Sequence, residues 1–327
     1  MTATETGAET QAPLQAPDAS LAPDAPTVAA PSPSTVSAAP AIAPIPTPAS
    51  TPRPQRTAPP PPLRVAAFAM SLLGLLLIGF IVYLYGLSGL AAAHAQSTLY
   101  KTFAGQLGAA TAPVGNVPEG TPVAIIDIPG IGISGLVIVE GTTSADLTRG
   151  PGLLPSSAFP GQPGVSTVYG RAATFGGAFA HLMQLNRGDR ITVVTGQGTS
   201  TYSVESFGYS AHPAKNSAAN QLVLYTADSS ILATGYEQVT ADLVGQPMQS
   251  SGSHATAGAR EAPMAGDAGV AIPLILWSEA LIAILLGAAW LTRRWSPPMV
   301  LLYSTPVALA VVWAVYENLA VLLPNLY

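Results

Sequence analysis

The chain changes texture four times. Residues 65–87 form a charge-free apolar run of 23 residues, which at 1.5 Å per residue spans about 34 Å, enough for the hydrocarbon core of a bilayer. Two more apolar runs, 270–291 and 299–323, lie near the other end. Between them the pattern shortens to strand length. Residues 123–128, 133–139, 165–169, 191–195, 199–207, 222–226 and 238–243 are β-rich runs. Pro129-Gly130 and Gly196-Gln197-Gly198 punctuate them as turns. Residues 177–185 carry Phe179, Leu182, Met183 and Leu185 loosely at helical spacing and predict a short helix.

These patterns divide the chain. Residues 1–64 are a Pro- and Ala-rich tail, 65–87 the first membrane helix, 88–120 a juxtamembrane connector and 121–245 a mostly β domain. Residues 246–269 read as a flexible linker, 270–291 and 299–323 as the second and third membrane helices, and 292–298 as the loop between them. The tail holds 16 of the 32 prolines within residues 1–62 and no aromatic residue there, a composition that cannot offset its ordering entropy and predicts disorder. Its role as a partner-binding segment or a plain solvated tail stays open.

Charge orients the spans. Arg53, Arg56 and Arg64 precede the first run, and no Lys or Arg follows it until Lys101. Arg293 and Arg294 lie in the short loop between the last two runs. Positive residues stay cytoplasmic, so the expected arrangement is tail inside, β domain outside, loop 292–298 inside and 325–327 outside. Ala93-His94-Ala95 has the shape of a signal-peptidase site, but the run before it is longer than a cleaved signal's core, and an uncleaved anchor is expected.

Composition removes several function classes. Of 327 residues only 9% are charged, and mean hydropathy is +0.40, as for membrane segments joined to one domain. There is no cysteine, hence no disulfide and no thiolate for catalysis or metal binding. The net charge of −5 with no basic cluster argues against a nucleic-acid partner. No two of His94, His181, His212 and His254 have ligand spacing, so no metal and no cofactor is expected.

Ordered landmarks fill the β region. They are Ile126-Asp-Ile-Pro-Gly-Ile-Gly-Ile133, Glu140-Gly141, Leu147-x-Arg149-Gly150-Pro151-Gly152, and Pro160-Gly161-Gln162-Pro163-Gly164 before the strand at 165–169. Phe175-Gly176-Gly177-x-Phe179-x-x-Leu182 and Leu185-x-x-Gly188-Asp189 follow, and then Leu222-Val-Leu-Tyr-Thr-Ala-Asp228. As a collinear set they resemble the sortases, cysteine transpeptidases of bacterial cell surfaces, in the form found in actinobacteria. The resemblance implies a sortase-like β-barrel with short helices, carried on three transmembrane helices. It also implies residence in a bacterial plasma membrane and action on surface-protein peptides.

The same resemblance marks three departures. Where the family's strand ends in Thr-Cys, this chain has Thr226-Ala227; an alanine methyl cannot attack a carbonyl. Where the family has Gly-His, this chain has Gly170-Arg171, and an arginine stays protonated and cannot act as a general base. Where the family has an arginine that stabilises the oxyanion, Tyr236 or Glu237 falls nearest. The expectation is a pseudoenzyme with no catalytic residues, which binds or positions cell-surface proteins or an active sortase.

Two alternatives remain: an enzyme of altered mechanism using Thr226, Ser229 or Ser230, and a structural subunit acting through its helices and tail. Arg171, Thr226, Ala227 and Asp228 define a candidate ligand groove. In it Arg171 either pairs with Asp228 or Glu237 or holds a ligand carboxylate. Glu279, Glu317 and Asn318 lie inside the apolar runs, where polar groups face protein rather than lipid. Glu279 and Glu317, at similar depths, are expected to meet each other, a partner's helix, or a neighbouring serine or carbonyl.

Overall fold

A computed structural model describes residues 61–214, 219–228, 233–250, 252 and 256–327. The expected disorder of residues 1–60 and the candidate nucleophiles Ser229 and Ser230 lie outside the described residues. Eight strands close into a barrel: β1 (Pro122–Ile128), β2 (Ile133–Glu140), β3 (Gly152–Leu153), β4 (Gly164–Tyr169), β5 (Arg190–Thr195), β6 (Gly198–Tyr209), β7 (Asn220–Ala227) and β8 (Tyr236–Val244). The order around the barrel is β1-β2-β3-β4-β7-β8-β6-β5. Closure leaves the long strands no free edge. Val123, Ile126, Ile138, Leu153, Val168, Leu222, Leu224, Val239 and Ala241 fill the interior.

Seven of the strands coincide with the β-rich runs of the sequence. The eighth, β3, is only two residues long and bridges β2, in parallel, to β4, antiparallel. So short a run has no periodicity to read. The expected helix at 177–185 is instead a single 3-10 turn at Leu182–Gln184. Gly176 and Gly177, at φ of 83° and 52°, break the path into it. Its apolar residues still serve the core, where Phe179, Leu182 and Leu185 are buried.

The first membrane run belongs to a longer rod. Helix α1 (Pro61–Val82) passes through one π-helical turn (Tyr83–Leu87) into α2 (Ser88–Gly108) without a break. At 1.5 Å per residue this is about 70 Å, more than twice the hydrocarbon thickness. The connector expected at 88–120 is therefore helical to Gly108. Ala92, Gln96, Leu99 and Phe103 recur at spacings of four and three and form one stripe. That stripe lies on the outer face of the barrel, where Leu99 and Phe103 pack on Ile125, Val137 and Val139. Both faces of β1 are thus covered, which explains its unbroken apolar sequence.

Gln96 fixes the docking register. Its side-chain oxygen accepts from Val137 N at 2.9 Å, and its amide donates to Val137 O at 3.0 Å and Arg149 O at 2.8 Å. These groups lie where β3 is too short to complete the ladder along β2. Helices α3 (Ala271–Leu291) and α4 (Pro297–Val321) form a hairpin, and all three apolar helices are long enough to cross a membrane. The Tyr316 hydroxyl donates to Leu76 O at 2.7 Å, and its ring lies 5.5 Å from Phe80. Gly79 permits this, since a Cβ there would stand 2.6 Å from the Tyr316 oxygen.

The second half of the tract read as a flexible linker is structured. It forms 3-10 turns at Ala259–Glu261 and Ala268–Val270, and Glu261 and Asp267 are buried. Thr142 donates to Glu261 O at 3.1 Å, tying this stretch to the barrel. Its Gly- and Ala-rich composition conceals an order that only tertiary contacts supply.

If Gln96 sets the register of α2 on the barrel, Gln96→Ala leaves two strand groups and one loop carbonyl unpaired. A loss of about 1–3 kcal/mol is expected, read as a lower thermal midpoint of the purified protein.

Candidate functional site

Strands β4 and β7 run parallel, with Tyr169 opposite Tyr225, and Gly170 N donates to Tyr225 O at 2.9 Å. Both strands therefore end at the same rim of the barrel, which brings Arg171 and Ala227 to adjacent strand ends. Across the next pair, Ala227 faces Tyr236 and Thr226 faces Glu237. Three of the positions singled out in the sequence, Arg171, Ala227 and Tyr236, are collected here.

Strand alternation sorts the rest. Leu222 and Leu224 belong to the barrel core, so Thr226, two residues on, lies on the core-facing side. It is buried, and its hydroxyl has no partner among the described residues. Ala227 lies on the opposite face with Leu147, Tyr169, Ala172 and Leu326. Thr226 and Ala227 are thus not two sides of one groove. Tyr225 bridges Tyr169 and Tyr236 with ring centroids 5.2 Å apart on either side. Burial raises the pKa of Tyr169 and Tyr225, and each is raised further by its tyrosine neighbours. No histidine enters this cluster: His181 is exposed, His94 lies on α2, and His212 sits in the turn after β6. His254 lies outside the described residues.

Arg171 is 1% exposed. Its guanidinium donates to Thr174 Oγ1 at 3.0 Å, to Ser144 O at 2.9 Å and to Ser144 Oγ at 2.8 Å. It also lies 4.9 Å over the ring of Phe175. The expected pairing with Asp228 or Glu237 does not form. Asp228 is exposed and accepts from the Thr234 backbone at 3.0 Å and hydroxyl at 3.1 Å. Burial pulls the Arg171 pKa down to about 9, which leaves it charged near neutrality and unable to take a proton. Nor is the guanidinium open to a ligand, since loops and the segment after α4 enclose it.

The last residue of β2 is a second group that the sequence reading missed. Glu140 is 2% exposed, and burial, then Glu261, Asp146 and Glu119, push its pKa up to about 8. Asp146 and Glu261 are raised too, mainly by burial, with partial relief from Thr143 and from Gly258 N respectively. Glu140 was visible only as part of a motif, because burial of an isolated acid leaves no mark in sequence. Among the described residues no group of three or more His, Asp or Glu is arranged to hold a metal ion.

Glu279 and Glu317, on the apolar helices, form no hydrogen bond with each other. Glu317 accepts from Trp313 Nε1 at 2.7 Å, one turn back on α4, and Asn318 donates to Ala314 O at 2.7 Å. Glu279 is exposed on α3 and has no hydrogen-bond partner among the described residues. Glu317 instead lines a cavity of about 270 Å³ with Tyr83, Arg149 and Phe175.

Two expectations follow. Arg171→Ala removes the donor that holds Ser144 and Thr174 and should lower stability by about 2–4 kcal/mol in thermal or denaturant unfolding. For Glu140, the folded protein keeps a proton that the unfolded chain releases between about pH 4.5 and pH 8. The associated stability is present in full below about pH 4.5 and is lost as pH rises toward 8, by at most about 1.4 kcal/mol per unit. Melting curves of Glu140→Gln should lack this slope.

Residues 126–237 match the family model described as Sortase domain. Among solved structures, the chain is similar to sortase E from Streptomyces avermitilis, with 26% identity over 40% of this chain and 93% of that one, at a TM-score of 0.35. It is also similar to the sortase D5 transpeptidase of Clostridium perfringens, with 21% identity over 46% of this chain and 99% of that one, at a TM-score of 0.41. No curated protein matches the chain. Most of the barrel, which runs from Pro122 to Val244, is thus a sortase domain by its match at residues 126–237.

Proposed function

We propose that this protein is a membrane-anchored, catalytically inactive sortase-domain protein that binds or positions cell-surface proteins or an active sortase. One observation carries the reading. The adjacent ends of β4 and β7 hold Arg171 and Ala227, a committed hydrogen-bond donor and a methyl group, where chemistry requires a base and a nucleophile. Tyr236 lies opposite Ala227 on β8 and supplies no cation. The altered-mechanism alternative draws no support from Thr226, which faces the core without a base.

Three apolar helices support residence in a membrane. The arginines before the first span and in the loop between the last two favour a cytoplasmic tail and an external barrel. In this arrangement the barrel and the segment after α4 occupy the same side.

Activity measurements test the reading. The full-length protein in detergent should not react with a fluorophosphonate, and Ala227→Cys should not cleave a surface-protein peptide, because Arg171 cannot take its proton. It should co-purify with a sortase or surface protein from membranes. Labelling of a serine or threonine, or peptide cleavage by the wild type, would overturn the inactive reading.

A further inference from the structure

The rim of the barrel at Ala227 is covered by the chain's own segment 323–327, which follows α4. This segment meets the barrel as a tight turn, closed by Tyr327 N donating to Pro324 O at 3.1 Å. Ala172 N donates to Leu326 O at 2.9 Å, and Thr174 N donates to Tyr327 O at 3.3 Å. The Thr174 hydroxyl adds a bond to Tyr327 O at 2.8 Å, and the Ser144 hydroxyl donates to Leu323 O at 3.1 Å. Arg171 stands behind both hydroxyls. Its N–H groups donate to their oxygens, so each hydroxyl proton is free to turn toward the segment.

The side chains are read as well. Leu326 is fully buried among Leu147, Tyr169, Ala172 and Ala227. Asn325 is also fully buried. Its amide donates to Thr142 O at 2.9 Å and Ala262 O at 3.0 Å, and its backbone N–H donates to Ala265 O at 2.8 Å. Two carbonyls aimed at one side chain demand a donor. An aspartate of the same shape would face both with a negative charge, close to an end of the barrel that already buries Glu140 and Glu261.

We propose that this face is a peptide site, occupied in cis by 325–327, that accepts a turn-forming peptide carrying Asn followed by a large aliphatic residue. The site holds its ligand by main-chain pairing at 172 and 174 and by the two carbonyls that select Asn over Asp. The inference deepens the binding role given above: the resident segment and a surface-protein peptide compete for one place. It rests on the inactive reading only for what happens after binding, and its test measures occupancy rather than chemistry.

The full-length protein in detergent micelles is titrated against fluorescein-labelled Leu-Pro-Asn-Leu-Tyr, with Leu-Pro-Asp-Leu-Tyr as the matched probe. The double variant Asn325→Asp, Leu326→Asp expels the resident segment by charge. It should bind the Asn peptide at least about tenfold more tightly than the wild type and discriminate against the Asp peptide by a similar factor. Equal binding by variant and wild type, or equal binding of the two peptides, would overturn the proposal.

A second arm does not depend on that variant folding. The chain has no cysteine, so Ala227→Cys with Leu326→Cys provides one thiol pair alone. Oxidation in membranes should join them, and excess Asn peptide, not Asp peptide, should slow the reaction. Failure to form the bond, or insensitivity to the Asn peptide, counts against the site.

Discussion

A fully buried guanidinium that forms no salt bridge among the described residues is the constraint around which this barrel is arranged. Taking a charge out of water costs several kcal/mol unless other groups replace the lost hydration. The terminal nitrogens of Arg171 are held by neutral partners, the Ser144 carbonyl and hydroxyl and the Thr174 hydroxyl, with the Phe175 ring beneath, while its Nε has no partner among the described residues. Each partner leads to a different part of the chain. Ser144 and Thr174 hold the segment after α4. The Phe175 backbone N–H donates to the Ser88 hydroxyl at 2.9 Å, and the Phe175 ring lies edge-on to Tyr83 in the π-helical turn. One cation therefore joins the barrel, the first apolar helix and the last.

That geometry makes the adjacent ends of β4 and β7 a joint. The methyl of Ala227 packs against Leu326, and the side chain of residue 171 ties loops together. The helical rod from α1 to α2 adds a second attachment through Gln96 and the stripe ending at Phe103. The domain is thus fastened to the apolar helices at two separate faces, and the barrel is held against the hairpin rather than swinging on a tether.

Much of this was legible in the sequence, and the failures have physical causes. Strands with alternating or unbroken apolar character announced themselves, as did three bilayer-length runs. Helix α2 was missed although Ala92, Gln96, Leu99 and Phe103 carry a plain helical stripe; the small residues between them masked it. The turn at Leu182–Gln184 was overread because Phe179, Leu182 and Leu185 reach the core without a helix. The partners of Arg171 could not be foreseen. Asp228 and Glu237 were the acids expected beside it, whereas the contacts come from Ser144 and Thr174 and, through them, from residues 323 and 327. Contacts across such separations leave no local trace.

Hydrogen–deuterium exchange of the full-length protein in micelles, wild type against Arg171→Met, tests this arrangement most directly. If the guanidinium joins the three parts, amides at 172–175 and in the stretch 323–327 lose protection together, while those of β1, β5 and β6 keep theirs. Unchanged protection at 323–327, with loss confined to residues beside 171, would contradict the account.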